Sequence, residues 1–200
     1  MISPDLRLIL ARHGQAEANQ PWVFLGRTDS PLSRQGRVQA AVLARSLAEV
    51  KLNAIYTSPL QRARETAVII ASRHANLSPI ADKRLIEQDY GDWEGLTLDE
   101  VQRRYPASAA AWQMDAVRYG PNGGENLAQL SARADRFYQQ VRREHFGGTA
   151  LIVAHGGILN ALICILLDTP LRWLWAYHLH TGAWGAVDIY DDFATLTLFA

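Results

Sequence analysis

Leu6-Arg7-Leu8-Ile9-Leu10-Ala11-Arg12-His13-Gly14 passes from apolar to charged over a single short stretch. An apolar run of this length reads as a buried strand, and it delivers Arg12-His13-Gly14 at its carboxyl end. The arrangement recurs downstream. Asn53-Ala54-Ile55-Tyr56-Thr57 reads as a second strand followed by Ser58, Pro59 and Arg62, and Thr149–Ala154 as a later one followed by His155-Gly156-Gly157. Helical periodicity fills the intervals. Ser33 suits the N-cap of a helix running to about Val50 with Val38, Val42 and Leu47 on one face. Ser58-Pro59 suit the N-cap and first position of a helix through Arg62 and Ile69. A long helix from about Asn126 to His145 places Leu127, Leu130, Ala134, Phe137 and Val141 on one face, and Gly157–Leu167 reads as another.

Strands alternating with helices imply a parallel sheet covered on both sides. The end of the chain departs from that rhythm: Trp184–Tyr190 and Ala194–Phe199 flank Asp191-Asp192-Phe193, the pattern of an antiparallel hairpin closing one edge. The expected fold is therefore α/β, a three-layer α/β/α sandwich with a mostly parallel sheet and an antiparallel edge. Residues 1–200 read as a single domain, without internal repeat or linker. Residues from about 86 to 125, rich in acids, Trp and Gly, are expected to form a lid region of short helices over the sheet.

Composition bounds the function. At 200 residues, folding buries roughly 70% of the surface exposed by the unfolded chain, enough for a core without disulfides or structural metal. Basic and acidic residues number 20 each and balance within each half, so binding nucleic acid through bulk charge is disfavoured. Arginine outnumbers lysine heavily, with only Lys51 and Lys83 present, a bias that base composition alone can produce. The one cysteine, Cys164, lies in the apolar run Ile158–Leu167 and reads as a small buried hydrophobe. That run is well short of the ~20 residues a bilayer requires. The N-terminus shows no signal-peptide pattern, and cytoplasmic residence is the expectation.

In open α/β sheets ligands bind beyond the carboxyl ends of the strands, so the residues following each strand are read together. Arg12, His13, Arg62 and His155 then converge on one rim, where helix N-termini also aim free N–H groups. This inventory suits a phosphate. A neutral imidazole is a competent nucleophile at pH 7, and arginine forks can hold the charge on the equatorial oxygens during phosphoryl transfer. The leaving oxygen needs a carboxylic acid. Glu87, Asp89, Asp92 and Glu94 are the candidates within 87–94, and spacing alone does not choose among them.

The motifs, taken in order, resemble the histidine phosphatase family of phosphoglycerate-mutase-like enzymes. They are Leu10-Ala11-Arg12-His13-Gly14-Gln15-Ala16-Glu17-Ala18-Asn19, Gly26-Arg27-Thr28-Asp29-Ser30-Pro31-Leu32-Ser33 and Tyr56-Thr57-Ser58-Pro59-Leu60-Gln61-Arg62-Ala63. Leu85-Ile86-Glu87 with Tyr90–Gly95, Gly123-Gly124-Glu125 and Val153-Ala154-His155-Gly156-Gly157 complete the set. The resemblance implies that His13 is the nucleophile that becomes phosphohistidine and that Glu87 is the acid that protonates the leaving oxygen. It implies further that Arg12, Arg62, His155, Gly156 and Asn19 hold the phosphoryl group, with no metal and no cofactor. Asp89, Asp92 and Glu94 then fall to a solvated or lid-packing face. One departure stands out. Ala16 occupies the place where the family usually has Ser or Thr, which removes a hydroxyl from near the phosphate. Asn126, after Gly124-Glu125, similarly replaces a usual Ser or Thr and reads as an alternative N-cap.

Gly95 and Gly124 stand 29 positions apart and the chain ends at Ala200, spacing that favours a phosphatase over a mutase. The segments Leu174-Trp175, Gly182-Ala183-Trp184, Val187-Asp188-Ile189 and Phe193–Leu196 resemble the ends of α-ribazole phosphatases of cobalamin assembly. The expected partner is a small-molecule phosphate ester, with no nucleic acid and no membrane; a homodimer is left open. A broad phosphomonoesterase is the alternative, and a non-catalytic module is disfavoured because the full catalytic set stands. Among the remaining side chains, Trp22 and Trp112 are candidates for a substrate mouth. His178 and His180 alternate as strand neighbours would, and His74 and His145 sit near helix ends.

Overall fold

The computed structural model describes residues 3–199. Its strands are β1 (Leu6–Arg12), β2 (Ala54–Thr57), β3 (Ile80–Ala81), β4 (Gly148–Ala154), β5 (Trp184–Ile189) and β6 (Ala194–Phe199), in the order β3-β2-β4-β1-β5-β6. The first four run parallel; β5 pairs antiparallel with β1, and β6 with β5. The fold is thus α/β with the antiparallel edge expected from the end of the sequence.

Pleat alternation builds the layers, because successive side chains on a strand point to opposite faces. Leu6, Leu8 and Leu10 of β1 and Ala150, Ile152 and Ala154 of β4 pack with α5 (Leu127–Glu144) and α6 (Gly156–Leu166). Ile9, Ala11, Leu151 and Val153 pack the other way, against α1 (Arg34–Ser46) and α2 (Gln61–Ala71). Between β3 and α5 the chain forms short 3₁₀ turns at Lys83–Leu85 and Gly91–Trp93, then α3 (Leu98–Arg104) and α4 (Pro106–Met114). A separate small core of Tyr90, Trp93, Val101 and Ala109, flanked by Phe24 and Trp112, holds this excursion together.

Two caps form as read. Ser33 accepts from the Gly36 N–H, and Asn126 forms a reciprocal capping box with Gln129. Two other expectations are corrected. Helix α1 ends at Ser46, not Val50, and buries Gly36, Ala40, Leu43 and Ala44, while Val38 and Val42 stand 54% and 45% exposed. The small residues win that face because the backbone of Gly36 lies against Gly14 and Gln15: a Cβ on Gly14 would meet the Gly36 carbonyl and one on Gly36 the Gln15 carbonyl. Ser58-Pro59 do not open α2. The Ser58 N–H still bonds to the Val153 carbonyl and so belongs to the sheet, and the helix begins at Gln61 with its first N–H donated to Asp29 Oδ1 at 2.7 Å.

Candidate active site

The site grows from the two central strands. The His13 N–H bonds to the Ala154 carbonyl, which extends the β1–β4 pairing past the last strand residue and sets His13 beside His155. Their rings meet edge to face with centroids 4.9 Å apart. Both are almost fully buried.

Hydrogen bonding assigns each imidazole a tautomer. His13 Nδ1 lies 2.6 Å from the Gly14 carbonyl, an acceptor, so Nδ1 carries the proton and Nε2 keeps its lone pair. His155 is the mirror case. Arg62 Nε, always a donor, bonds to His155 Nδ1 at 3.1 Å, which leaves the proton on Nε2. That Nε2 is buried and has no partner among the described residues. Burial pushes the pKa of both imidazoles well below the ordinary histidine value; Arg62 and Arg12 push His13 the same way, and His13 and both arginines do so for His155. Both rings are neutral at pH 7. One therefore presents a nucleophilic nitrogen, the other a hydrogen-bond donor.

A cavity of about 270 Å³ opens beside His13, and its polar lining includes Arg12, His13, Asn19, Glu87, Gly156 and Gly157; His155 itself is not part of the lining. Arg12 donates from Nη1 to the Leu179 carbonyl, and its buried Nε has no partner among the described residues. Asn19 Oδ1 accepts from the Ala16 N–H at 2.8 Å, which leaves its Nδ2 donor group available to the cavity. Glu87 closes the N-terminus of α6, where the first N–H groups have no intrahelical acceptor. Its Oε2 accepts from Gly157 N at 3.0 Å and its Oε1 from Ile158 N at 3.1 Å and Gln88 N at 2.9 Å. A Cβ on Gly157 would lie 2.6 Å from Glu87 Oε1, so only glycine admits the carboxylate there.

Not every expected residue lies at the surface of the cavity. Neither Arg62 nor His155, each 1% exposed, is part of the lining; Arg62 backs His155 through Nδ1 and donates also to the Gly26 and Thr28 carbonyls, both at 2.7 Å. Ala16 is buried in a bridge to Leu32, and its methyl is not part of the lining. Of the other acids, Glu94 accepts from the Gly26 and Thr28 N–H groups and Asp89 pairs with Arg27. Both serve structure. Trp22 lines the mouth, whereas Trp112 packs edge-on against Trp93. His178 and His180 are not in a strand; their rings contact each other, and His178 faces the cavity. Burial pushes the Cys164 thiol up to about 11, which fits its reading as a buried hydrophobe.

Sequence reasoning missed Trp175, Tyr177 and Asn160, which also line the cavity. It missed Arg133 as well. This residue grips Glu125 through two nitrogens, at 3.0 and 2.7 Å, and donates to the carbonyls of Arg84, Ile86 and Glu87. A signal was present, because Arg133 falls within the apolar stripe of α5 between Leu130 and Phe137. A charge in such a stripe is buried only when paired.

A family model of the histidine phosphatase superfamily (branch 1) matches residues 8–200. The chain is 34% identical over 182 residues to phosphoserine phosphatase 1 of Hydrogenobacter thermophilus, covering 91% of this chain and 86% of that one. It is also 34% identical over 191 residues to the adenosylcobalamin/alpha-ribazole phosphatase of Salmonella typhimurium, covering 96% and 94%. The crystal structure of the alpha-ribazole phosphatase from Shigella flexneri superposes with a TM-score of 0.87 at 32% identity, over 96% of this chain and 95% of that one. These matches span nearly the whole chain and include every strand end that builds the cavity. The chain belongs to branch 1 of the histidine phosphatase superfamily and is a hydrolase of phosphoric monoesters.

Proposed function

We propose that the protein hydrolyses a small-molecule phosphomonoester through a phosphohistidine on His13, without a metal, and that its substrate is α-ribazole 5′-phosphate. The observation that carries the mechanism is the opposed tautomers of His13 and His155, whose rings meet edge to face where the cavity reaches His13. Arg12, His155 Nε2–H, the Gly156 N–H and Asn19 Nδ2 hold the phosphoryl oxygens, and Arg62 fixes His155 from behind. His13 Nε2 attacks phosphorus in line with the ester oxygen. As the P–N bond forms and the P–O bond breaks, Glu87 gives a proton to the departing alkoxide. In the second half-reaction Glu87, now a carboxylate, takes a proton from water as that water attacks phosphorus and frees His13. One carboxyl group thus serves both steps. Residues from about 86 to 125, which carry Glu87, act as the lid over the phosphate.

Support for the substrate comes from the likeness to alpha-ribazole phosphatases and from the aromatic residues at the mouth. A second reading, a broad phosphomonoesterase, is favoured by the equal identity to a phosphoserine phosphatase. The test is phosphate release from α-ribazole 5′-phosphate in excess EDTA, beside an aryl phosphate and the His13→Ala protein. Turnover far better than on the aryl phosphate, unaffected by chelator and lost in the variant, is the expected result. Turnover of the aryl phosphate alone discards the substrate and keeps the mechanism; substantial activity in His13→Ala discards the nucleophile.

A further inference from the structure

Glu87 stands on a segment without regular structure. It follows the 3₁₀ turn Lys83–Leu85 and precedes the turn Gly91–Trp93, so no strand or helix of its own holds its main chain. The N–H groups of Gly157, Ile158 and Gln88 reach only its carboxyl group.

The main chain is held instead by one side chain from α5. Arg133 uses all five of its N–H groups: Nε donates to Glu125 Oε1 at 3.0 Å, Nη1 to the Arg84 and Ile86 carbonyls at 2.7 and 2.6 Å, and Nη2 to the Glu87 carbonyl at 3.1 Å and Glu125 Oε2 at 2.7 Å. Glu125 secures the other side of the segment. Its Oε2 accepts from Asp89 N at 3.1 Å, its carbonyl accepts from Gln88 Nε2 at 2.8 Å, and its N–H donates to the Asp89 carbonyl at 2.8 Å. One ion pair thus pins the chain before and after Glu87. Neither partner lines the cavity.

The core itself does not call for this pair. Arg133 lies in the apolar stripe of α5 between Leu130 and Phe137, and a buried ion pair is often no more stabilising than well-packed apolar side chains of similar volume. What the guanidinium adds is direction, because its rigid fork ties three carbonyls and a carboxylate to one planar group. We propose that Arg133, with Glu125, is a positioning residue for the general acid: it fixes the main chain at Glu87 so that the carboxyl group meets the leaving oxygen. This rests on the reading of Glu87 as the proton donor.

The test uses substituted phenyl phosphates, from phenyl to 4-nitrophenyl, whose leaving oxygens become less basic along the series and so depend less on a proton donor. Misplacing a reacting group by about 1 Å costs roughly 10²-fold. Arg133→Lys keeps the charge and loses the fork; it is expected to lower kcat about 10²-fold on phenyl phosphate and far less on 4-nitrophenyl phosphate, with KM little changed. Glu125→Gln should tilt the series the same way by a smaller factor. The double variant Arg133→Lys/Glu87→Gln separates positioning from general damage. A residue that acts through Glu87 has nothing to position once the acid is gone, so the double variant should turn over phenyl phosphate no more slowly than Glu87→Gln alone. Equal losses along the series in Arg133→Lys and Glu125→Gln, or losses that multiply in the double variant, overturn the inference and leave Glu87 as the acid. If Glu87→Gln itself loses equally along the series, the proton-donor reading falls and the inference falls with it.

Discussion

Arg62 commits three of its five N–H groups within the protein, to His155 Nδ1 and the carbonyls of Gly26 and Thr28. Its planar fork holds one imidazole in a single tautomer while tying down the loop that follows Leu25. A lysine there would place a single point donor where a fork is needed. Arg62→Lys is therefore expected to lower kcat by about 10²–10³, the usual cost of losing one preorganised donor at a reacting oxygen. Nitrogen NMR of the His155 ring should show mixed tautomers in the variant. A single Nε2–H tautomer with normal kcat would place the control of His155 elsewhere. The sequence made Arg62 legible as a cation near the strand ends but not as a support behind His155, because burial order along one line of sight is a tertiary fact. Asn160 was hidden for a similar reason. A lone amide in an apolar helix carries no local sign of the cavity it faces.

At the scale of the element, α6 couples the fold to the chemistry. Its unpaired N-terminal N–H groups orient Glu87 from a segment about seventy positions earlier, and Gly157 is the residue that lets the carboxylate approach. Alanine inside a helix is ordinarily favoured over glycine by about 1 kcal/mol. In Gly157→Ala the helix is retained while the new methyl displaces Glu87 and uncaps the first N–H groups of α6. The expected result is a loss of about 10²–10⁴ in kcat on esters with poor leaving groups, a smaller loss on an aryl phosphate, and a modest fall in Tm from the lost cap. Equal losses on both ester types would move the general acid away from Glu87. The helices show where local pattern suffices and where it fails. Asn126 and Ser33 cap as read because their partners lie three residues away. The start of α2 was misplaced because its cap is Asp29, distant in sequence. The buried face of α1 was misread because close approach to Gly14 outweighed side-chain size, leaving Val38 and Val42 outside.

Across the whole molecule, 20 basic and 20 acidic residues leave no formal net charge at pH 7, so general self-repulsion contributes little near neutrality. The pH dependence of stability there should be governed by groups whose folded and unfolded pKa values differ. His13 and His155 are held neutral in the folded protein well below the ordinary value of 6.5. The unfolded chain, by contrast, takes up their protons near that value. Below about pH 6.5 the unfolded state therefore binds more protons than the folded one, and stability declines as pH falls, by up to about 1.4 kcal/mol per pH unit for each ring. Glu125, whose pKa is lowered by Arg133, acts in a later window: its contribution is present above about pH 4.5 and is lost on further acidification. Urea unfolding between pH 7.5 and 5 should show the midpoint falling with acid, with a shallower slope in His13→Gln/His155→Gln. The acid limb of kcat/KM should meanwhile extend below pH 6.5, because the nucleophile stays unprotonated where a free histidine would not. A midpoint independent of pH over that range, or an acid limb centred on 6.5, would show that His13 titrates like an exposed side chain, and the nucleophile would then owe nothing to its burial.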